Sequence, residues 1–573
     1  MDARPENVGR TAKPQNDPVN YDVIVIGSGA AGLSAAVVAA CEGQRVLVVE
    51  KTDRVGGTTA ISGGMVWVPA NSKMAAAGRS DSLDQARTYL DATVPKGLDP
   101  ALREAFLKRG NEAIDYLESH SEVKLQPVVT YPDYYPDQPG AVLGARVLES
   151  VPFDAGALGP WFSRLRSPLP DFMLLGGMMV SRADIPHWRR FAKSPRSAMK
   201  VIRLVAQYLW QRTRHSRGTT LYLGNALVGR LLLSAIKAGV VIETETEVLS
   251  LLQDGAAVIG IRAKQDGTVV EIGARKGVIL ATGGFSHDPE LRRKYLPQAL
   301  GEGTATIGSN SGTGGLRLGL AAGGTIAPSQ GGGFWVPASP YTDADGNKRY
   351  FPHTVTDRGK PGLIAVNRHG VRFTNEARSY HEFVKAQIEE GADACPAWLV
   401  CDAAFLWKYG LGRVKPFSLN PSRYVREGYL FKAASLDELA QQIGLPTGSL
   451  SRTVAAFNKD AKNGVDPEFG RGGDAYQRHL GDADVKPNPC IAPILKAPFF
   501  AVPVYPADLG TAAGLTTSKD GEVLGEDGKP IAGLYACGND MASIMNGAYP
   551  GPGITIGPAV VFGYIVGRHC AAR

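Results

Sequence analysis

Two groups of residues in this 573-residue chain have the types and spacing to do chemistry. The first, Gly27-Ser-Gly29-Ala-Ala-Gly32, follows the β-rich run Tyr21–Ile26 and opens an Ala-rich, helix-like stretch to Cys41. Gly27 permits a tight turn, Gly29 lets backbone approach a pyrophosphate at a helix N-terminus, and Gly32 lets that helix pack on its strand. A second strand, Arg45–Val49, ends at Glu50, whose carboxylate can accept from ribose hydroxyls. Strand, glycine turn, helix, strand and terminal acid together predict a dinucleotide site. The second group is Tyr549-Pro-Gly-Pro-Gly553, inside a stretch (Asn539–Val566) that contains no Arg or His. Such a stretch offers a dicarboxylate little to bind and suits a neutral, apolar carbonyl compound. The Tyr549 hydroxyl and the Gly553 N–H can donate to a carbonyl oxygen as negative charge builds on it, which removal of an adjacent hydrogen requires.

Composition sets the frame that must position them. Charged residues are 20%, hydrophobic residues 44% and mean hydropathy is −0.10, the balance of a globular protein and not of a disordered, fibrous or membrane-spanning one. The length fits two large domains or more. Gly is in excess, 69 residues without a period, which implies many sharp turns and close backbone approaches. The longest apolar stretches, Phe172–Val180 and Gly553–Val566, fall below the ~20 residues that cross a bilayer. Six cysteines (Cys41, Cys395, Cys401, Cys490, Cys537 and Cys570) form no CxxC pair and no Cys/His spacing, so neither a disulfide framework nor a metal site is expected and a reducing compartment fits. Met1–Asn20 is polar and lacks an apolar core, which predicts a loose tail and no secretory signal.

The net charge of +7 is concentrated. Trp161–Arg217 holds twelve Lys/Arg against two acids, Asp171 and Asp184, so one segment carries the whole excess. Within it Ala198, Val201, Ile202, Val205, Tyr208 and Leu209 recur at helical spacing among Arg196, Lys200, Arg203, Arg212 and Arg214. Such an insertion, about 155–217, suits an anionic membrane surface and a route for apolar molecules, or else a solvated cover whose stripe packs on the main domain. No recognition motif for nucleic acid accompanies it, and none is expected as partner.

The residues after the fingerprint separate FAD from NAD. Lys51–Gly64 (KTDRVGGTTAISGG), Gly277–Gly284 (GVILATGG) and Gly533-Leu-Tyr-Ala-Cys-Gly538-Asn-Asp540 resemble the paired motifs and the flavin-closing strand of succinate dehydrogenase/fumarate reductase flavoproteins. The resemblance covers most of the chain. It implies an α/β fold, a Rossmann-like FAD-binding domain (1–334 and 502–573) interrupted by an α+β substrate or catalytic domain (335–501). The β-rich runs Gly362–Val366 and Trp398–Cys401 and the amphipathic stretches Leu436–Ile443 and Leu450–Lys459 fall in the latter. It also implies flavin contacts from Gly27, Gly29, Ala31, Gly32 and Glu50, and from Lys51, Gly57, Thr58, Thr59, Ser62, Gly63 and Gly64. Further contacts would come from Ala281, Thr282 and Gly283, and from Gly538, Asn539 and Gly557. Respiratory members tether flavin through a His in the second loop; Thr58, Thr59 and Ala60 stand there, so noncovalent FAD is expected.

Four separated pieces narrow the family. Tyr549–Ala559 resembles the YPGxGxTxGPA signature of 3-ketosteroid Δ1-dehydrogenases, whose fumarate-reducing cousins read HGxNRLGGNA. Pro132-Asp-Tyr134-Tyr-Pro-Asp-Gln-Pro-Gly140 resembles the DYxPxxPGG loop, with Ala141 for the second Gly. Arg372-Phe-Thr-Asn375-Glu376-Ala-Arg-Ser-Tyr380 resembles RFxNExxxY, and Gly224-Asn-Ala-Leu-Val-Gly-Arg-Leu resembles GNALxxRL. The resemblance implies introduction of a double bond between carbons 1 and 2 of a 3-ketosteroid A ring, in steroid catabolism. Tyr380 would take the carbon 2 proton, supported by Tyr134 or its neighbour Tyr135, while Tyr549 and Gly553 hold the ketone and hydride leaves carbon 1 for flavin N5. A Tyr of pKa near 10 is a weak base, so Tyr134 or the flavin is expected to favour its ionised form. A quinone-like acceptor goes with this reading, as does a cytoplasmic location, either free or peripheral on the inner face of the cell membrane. Alternatives are a fumarate- or urocanate-type reductase with Arg372, Arg378 and His381 as a dicarboxylate clamp, a Δ4(5α)-dehydrogenase, or a redox-inert flavin-binding protein at a membrane surface.

Overall fold

The computed structural model describes residues 20–297, 303–308, 314–354 and 357–573. The expected tail therefore lies outside the described residues, apart from Asn20. The chain begins β1 (Asn20–Ile26), α1 (Ala30–Cys41), β2 (Val46–Val49). Both strands are buried on both faces, as apolar runs in a covered parallel sheet must be.

The basic insertion follows and contains α2 (Pro195–Arg212). Its stripe divides: Val201 and Tyr208 are buried, whereas Ile202 and Leu209 are exposed beside Met199 and Trp210. The buried face also takes in Ser197 and Gln211, so part of the stripe packs on the protein and part faces outward. Then α3 (Leu223–Lys237), β3 (Val241–Glu243) and, after an antiparallel hairpin, β4 (Thr268–Leu280) return to the first sheet.

A second, six-stranded sheet is built from β5 (Gly333–Thr342), β6 (Leu363–Val366), β7 (Ala397–Asp402) and the long β8 (Phe499–Thr511), with α4 (Tyr380–Glu390) packed on β5. The chain closes with β9 (Glu522–Leu524), β10 (Pro530–Ala536) and α5 (Ile556–Ala572), the last lying along α1. The first sheet runs β9-β10-β4-β1-β2-β3. Along it β10, β4, β1, β2 and β3 are parallel, in a register that sets Ile26 beside Val49 and Leu280, and Leu280 beside Ala536. Four strands thus end at one edge, and their following loops must meet there. No helix among the described residues is long and apolar enough to cross a membrane.

Candidate active site

At that edge the loops surround one continuous cavity. Gly27 adopts φ +107, and a Cβ on it would fall 2.3 Å from the Ala281 carbonyl oxygen; only glycine permits this crossing of loops. α1 starts beyond Gly29 with no side-chain cap from its own N-cap residue. Thr59 accepts from the Ala30 N–H at 3.2 Å, which leaves other first-turn donors for an anion. Glu50 is oriented by Ser28 (2.6 Å) and Thr52 (2.9 Å). Ala31, Lys51, Gly57, Thr58, Ser62, Gly63, Gly64, Thr282, Gly283, Gly538 and Asn539 line the same cavity.

Two of the residues expected near the cofactor do not line that cavity, and for Gly32 the helix-to-strand packing expected of it is what the structure shows. Gly32 and Gly557 lie under tight packing instead, where a Cβ would meet the Gly27 carbonyl oxygen at 2.0 Å and the Trp67 carbonyl oxygen at 2.2 Å. Asp540 is buried and accepts from Thr282 and Gly284, so it staples the loop after β4 to the loop after β10. A glycine cradle, an open helix N-terminus and a placed acid fit a dinucleotide cofactor.

The cavity continues to Tyr134, Tyr380, Tyr549 and Gly553. All three rings are buried, with centroids 5.7 Å (Tyr134–Tyr380), 5.1 Å (Tyr380–Tyr549) and 5.7 Å (Tyr134–Tyr549) apart. The Tyr134 hydroxyl donates to that of Tyr380 at 3.1 Å, whereas Tyr135 turns away and donates to Glu382 at 2.8 Å. Geometry therefore separates two neighbours that the sequence leaves open. Gly553 has φ +93, and among the described residues its N–H meets no main-chain carbonyl. Burial pushes Tyr549 up to about 12 and Tyr380 well above its ordinary value. The Tyr134 hydrogen bond acts the other way on Tyr380, in the direction expected of it, against the larger effect of burial.

Tyr89, Arg146 and Arg358, to which no motif points, and Asp133 of the Pro132–Gly140 loop hold this end in place. The Tyr134 N–H and the Tyr89 hydroxyl both donate to the Pro550 carbonyl, at 2.9 and 2.6 Å, and so join the two tyrosine loops. Asp133, fully buried, accepts from Trp67 (2.9 Å) and Arg146 (2.7 Å), and Arg146 also pairs with Asp81. Arg358 is buried and donates to the carbonyls of His353, Thr354, Glu376 and Arg378, which pins the turn before Tyr380 and puts positive charge near the tyrosines. A buried Arg off any motif is the signal that could have found Arg146 and Arg358, but it exists only once burial is known.

The proposed dicarboxylate clamp does not form. Arg372 is tied to Glu376 and Asp466. His381, whose pKa burial lowers to about 4, accepts from the Trp335 N–H, and Arg378 is exposed. Asn375 is spent on Phe469 and Gln477.

Comparison with known proteins places this geometry. Residues 22–556 match the FAD binding domain family. The chain is 39% identical to 4-oxocyclohex-2-ene-1-carboxylate 5-dehydrogenase of Sinomonas cyclohexanicum, over 97% of this chain and 95% of that one. It is 36% identical to 3-oxosteroid 1-dehydrogenase of Mycobacterium tuberculosis, over 96% and 98%. The crystal structure of 3-ketosteroid Δ1-dehydrogenase from Sterolibacterium denitrificans, in complex with 1,4-androstadiene-3,17-dione, superposes with TM-score 0.89 at 37% identity, over 96% of this chain and 99% of that one.

Proposed function

The chain belongs to the FAD-dependent 3-ketosteroid Δ1-dehydrogenase family, and from that premise we propose that it dehydrogenates the A ring of 3-ketosteroids between carbons 1 and 2. It is an oxidoreductase acting on a CH–CH bond, with FAD as cofactor. The observation that carries the substrate reading is the hydroxyl cluster of Tyr134, Tyr380 and Tyr549 beside the Gly553 N–H, in one cavity with the cofactor cradle.

Gly27, Gly29 and the α1 N-terminus would hold the pyrophosphate, Glu50 the ribose, and Ser62–Gly64 the ring end. Bound FAD supplies the two-electron acceptor. Tyr549 and Gly553 donate to the C3 ketone oxygen and stabilise the charge that grows on it. Tyr380 Oη accepts the C2 proton as the C2–H bond breaks, and the Tyr134 O–H stabilises the oxygen that acts as base. The buried rings exclude water and pack on the apolar substrate. FAD is held without a covalent bond, since Thr58 and Thr59 spend their hydroxyl oxygens as acceptors for Ile307 and Ala30; acid precipitation should release all of the yellow colour. The electrons taken from substrate would go on to a quinone-like acceptor, tested by menadione reduction with NAD as control.

Exposed Leu175, Met199, Ile202, Leu209 and Trp210 among basic residues fit a peripheral contact with an anionic membrane, on its cytoplasmic face. Flotation with phosphatidylglycerol vesicles should carry the protein, and Leu209→Ser with Trp210→Ser should release it. The test of the activity is anaerobic mixing with androst-4-ene-3,17-dione. Flavin bleaching with loss of two hydrogens at carbons 1 and 2 is expected; a spectrum that dithionite alone bleaches would refute it. The likeness to an enzyme named for a one-ring oxo-carboxylate favours a second substrate size, to be run beside the steroid.

A further inference from the structure

The cavity contains a cation that the chemistry above does not use. Arg182 lines it, half-buried, from the basic insertion. Its guanidinium lies 5.7 Å from the Tyr131 ring centroid, and a terminal nitrogen comes within 4.0 Å of where a Cβ on Gly63 would stand. It therefore sits between the flavin loop and the aromatic wall, since Tyr131 is 6.4 Å from Tyr134, ring to ring.

Among the described residues no carboxylate or carbonyl partners Arg182. The one acid close in sequence, Asp184, is taken by the Ser181 hydroxyl (2.7 Å) and by Lys200 (3.6 Å). Several arginines of the interior are bonded otherwise: Arg146, Arg372 and Arg471 meet acids and Arg358 meets carbonyls. Contact with a ring face leaves the five guanidinium donors free. Beside it the Tyr131 hydroxyl, on a residue only 3% exposed, has no hydrogen-bond partner. An unpaired cation and a buried unpaired hydroxyl on one cavity wall are costly to leave so and call for an anionic acceptor. A planar guanidinium with a neighbouring O–H matches a carboxylate.

We propose that Arg182 and the Tyr131 hydroxyl form a carboxylate subsite in the substrate half of the cavity, so that the preferred substrate is a ring ketone bearing an acidic group remote from the ketone. This rests on the dehydrogenase reading. The neutral Tyr549–Gly553 end takes the ketone, and the cationic end takes the acid. The acid can stand on a single ring or on the side chain of a steroid, which share this chemistry.

The holoenzyme is assayed with two acid/methyl ester pairs: 3-oxoandrost-4-ene-17β-carboxylate and 4-oxocyclohexane-1-carboxylate, each against its ester. In the pair whose skeleton fits, kcat/KM for the acid should exceed that for the ester about tenfold to a hundredfold, as a charge-assisted bond implies. Arg182→Leu should collapse that ratio through KM, Arg182→Lys should restore part of it, and FAD content per chain should not change. The skeleton showing the ratio identifies the source of the acid. Equal turnover of acid and ester in the unmodified enzyme, or loss of FAD in Arg182→Leu, overturns the subsite and leaves the dehydrogenase standing. Failure of all four ketones to bleach the flavin overturns both.

Discussion

Within nine residues, Arg372 to Tyr380, the chain enters two buried polar sites of opposite kind. At the first, Arg372 meets Glu376 at 2.9 Å and Asp466 at 2.8 Å, and Arg471 adds a further bond to Glu376 at 3.1 Å. Both carboxyls are held below their ordinary range despite burial, because the guanidinium groups favour their ionised forms. At the second, Tyr380 faces Tyr134 and Tyr549 with no acid in hydrogen-bond contact, burial raises its pKa, and the nearby Tyr131 and Tyr476 hydroxyls are unpartnered. Opposite charges paired with one another fix a backbone, whereas hydroxyls without partners are what a substrate can use. The first site holds Tyr380 at the start of α4, and the second is where the proposed chemistry would take place.

The contrast can be broken by substitution. Arg372→Ala deprives buried Asp466 of its guanidinium and leaves Glu376 with Arg471 alone, and should cost about 3–5 kcal/mol in urea unfolding; a loss under ~1 kcal/mol would remove its structural role. Because Glu376 and Asp466 have lowered folded pKa values, their contribution is present above the unfolded carboxylate pKa of about 4 and fades as pH falls below it. The deficit should therefore shrink in acid.

Tyr549→Phe should do the reverse, lowering turnover about a hundredfold with the melting temperature and FAD content unchanged. A smaller effect sharpens the role of the hydroxyl pair. Tyr380 acts as a base only when ionised and its pKa is raised, so turnover should climb with pH through the neutral range. Tyr134→Phe removes the bond that favours ionisation, so the rising limb should move to higher pH and turnover at neutral pH should fall roughly tenfold. Smallest of all, Tyr135→Phe should change turnover by less than about twofold, since its hydroxyl serves Glu382.

What was legible in the sequence was whatever local spacing encodes. A glycine at a crossing of loops, an acid at a strand end and the Pro/Gly frame around Tyr549 are short-range constraints, and the cavity gathers nearly all of them. Gly32 and Gly557 share those motifs yet serve packing, because a motif does not say which of its small residues faces a ligand. The stripe on α2 was legible as a helix but not as a face, since which side is buried depends on what lies beneath it.

The sequence by itself determined the dinucleotide cradle and its strands, because these follow from turn stereochemistry and from contacts close along the chain, whereas the choice of flavin and the candidate tyrosines came from the resemblance of its motifs to a family. Only the tertiary structure decided between Tyr134 and Tyr135, turned Arg372 and His381 away from substrate, and left Arg182 unpaired in the cavity. Each of those outcomes depends on partners dozens to hundreds of residues away. Pairing and burial, which set what a polar group can do, exist only once those partners have met.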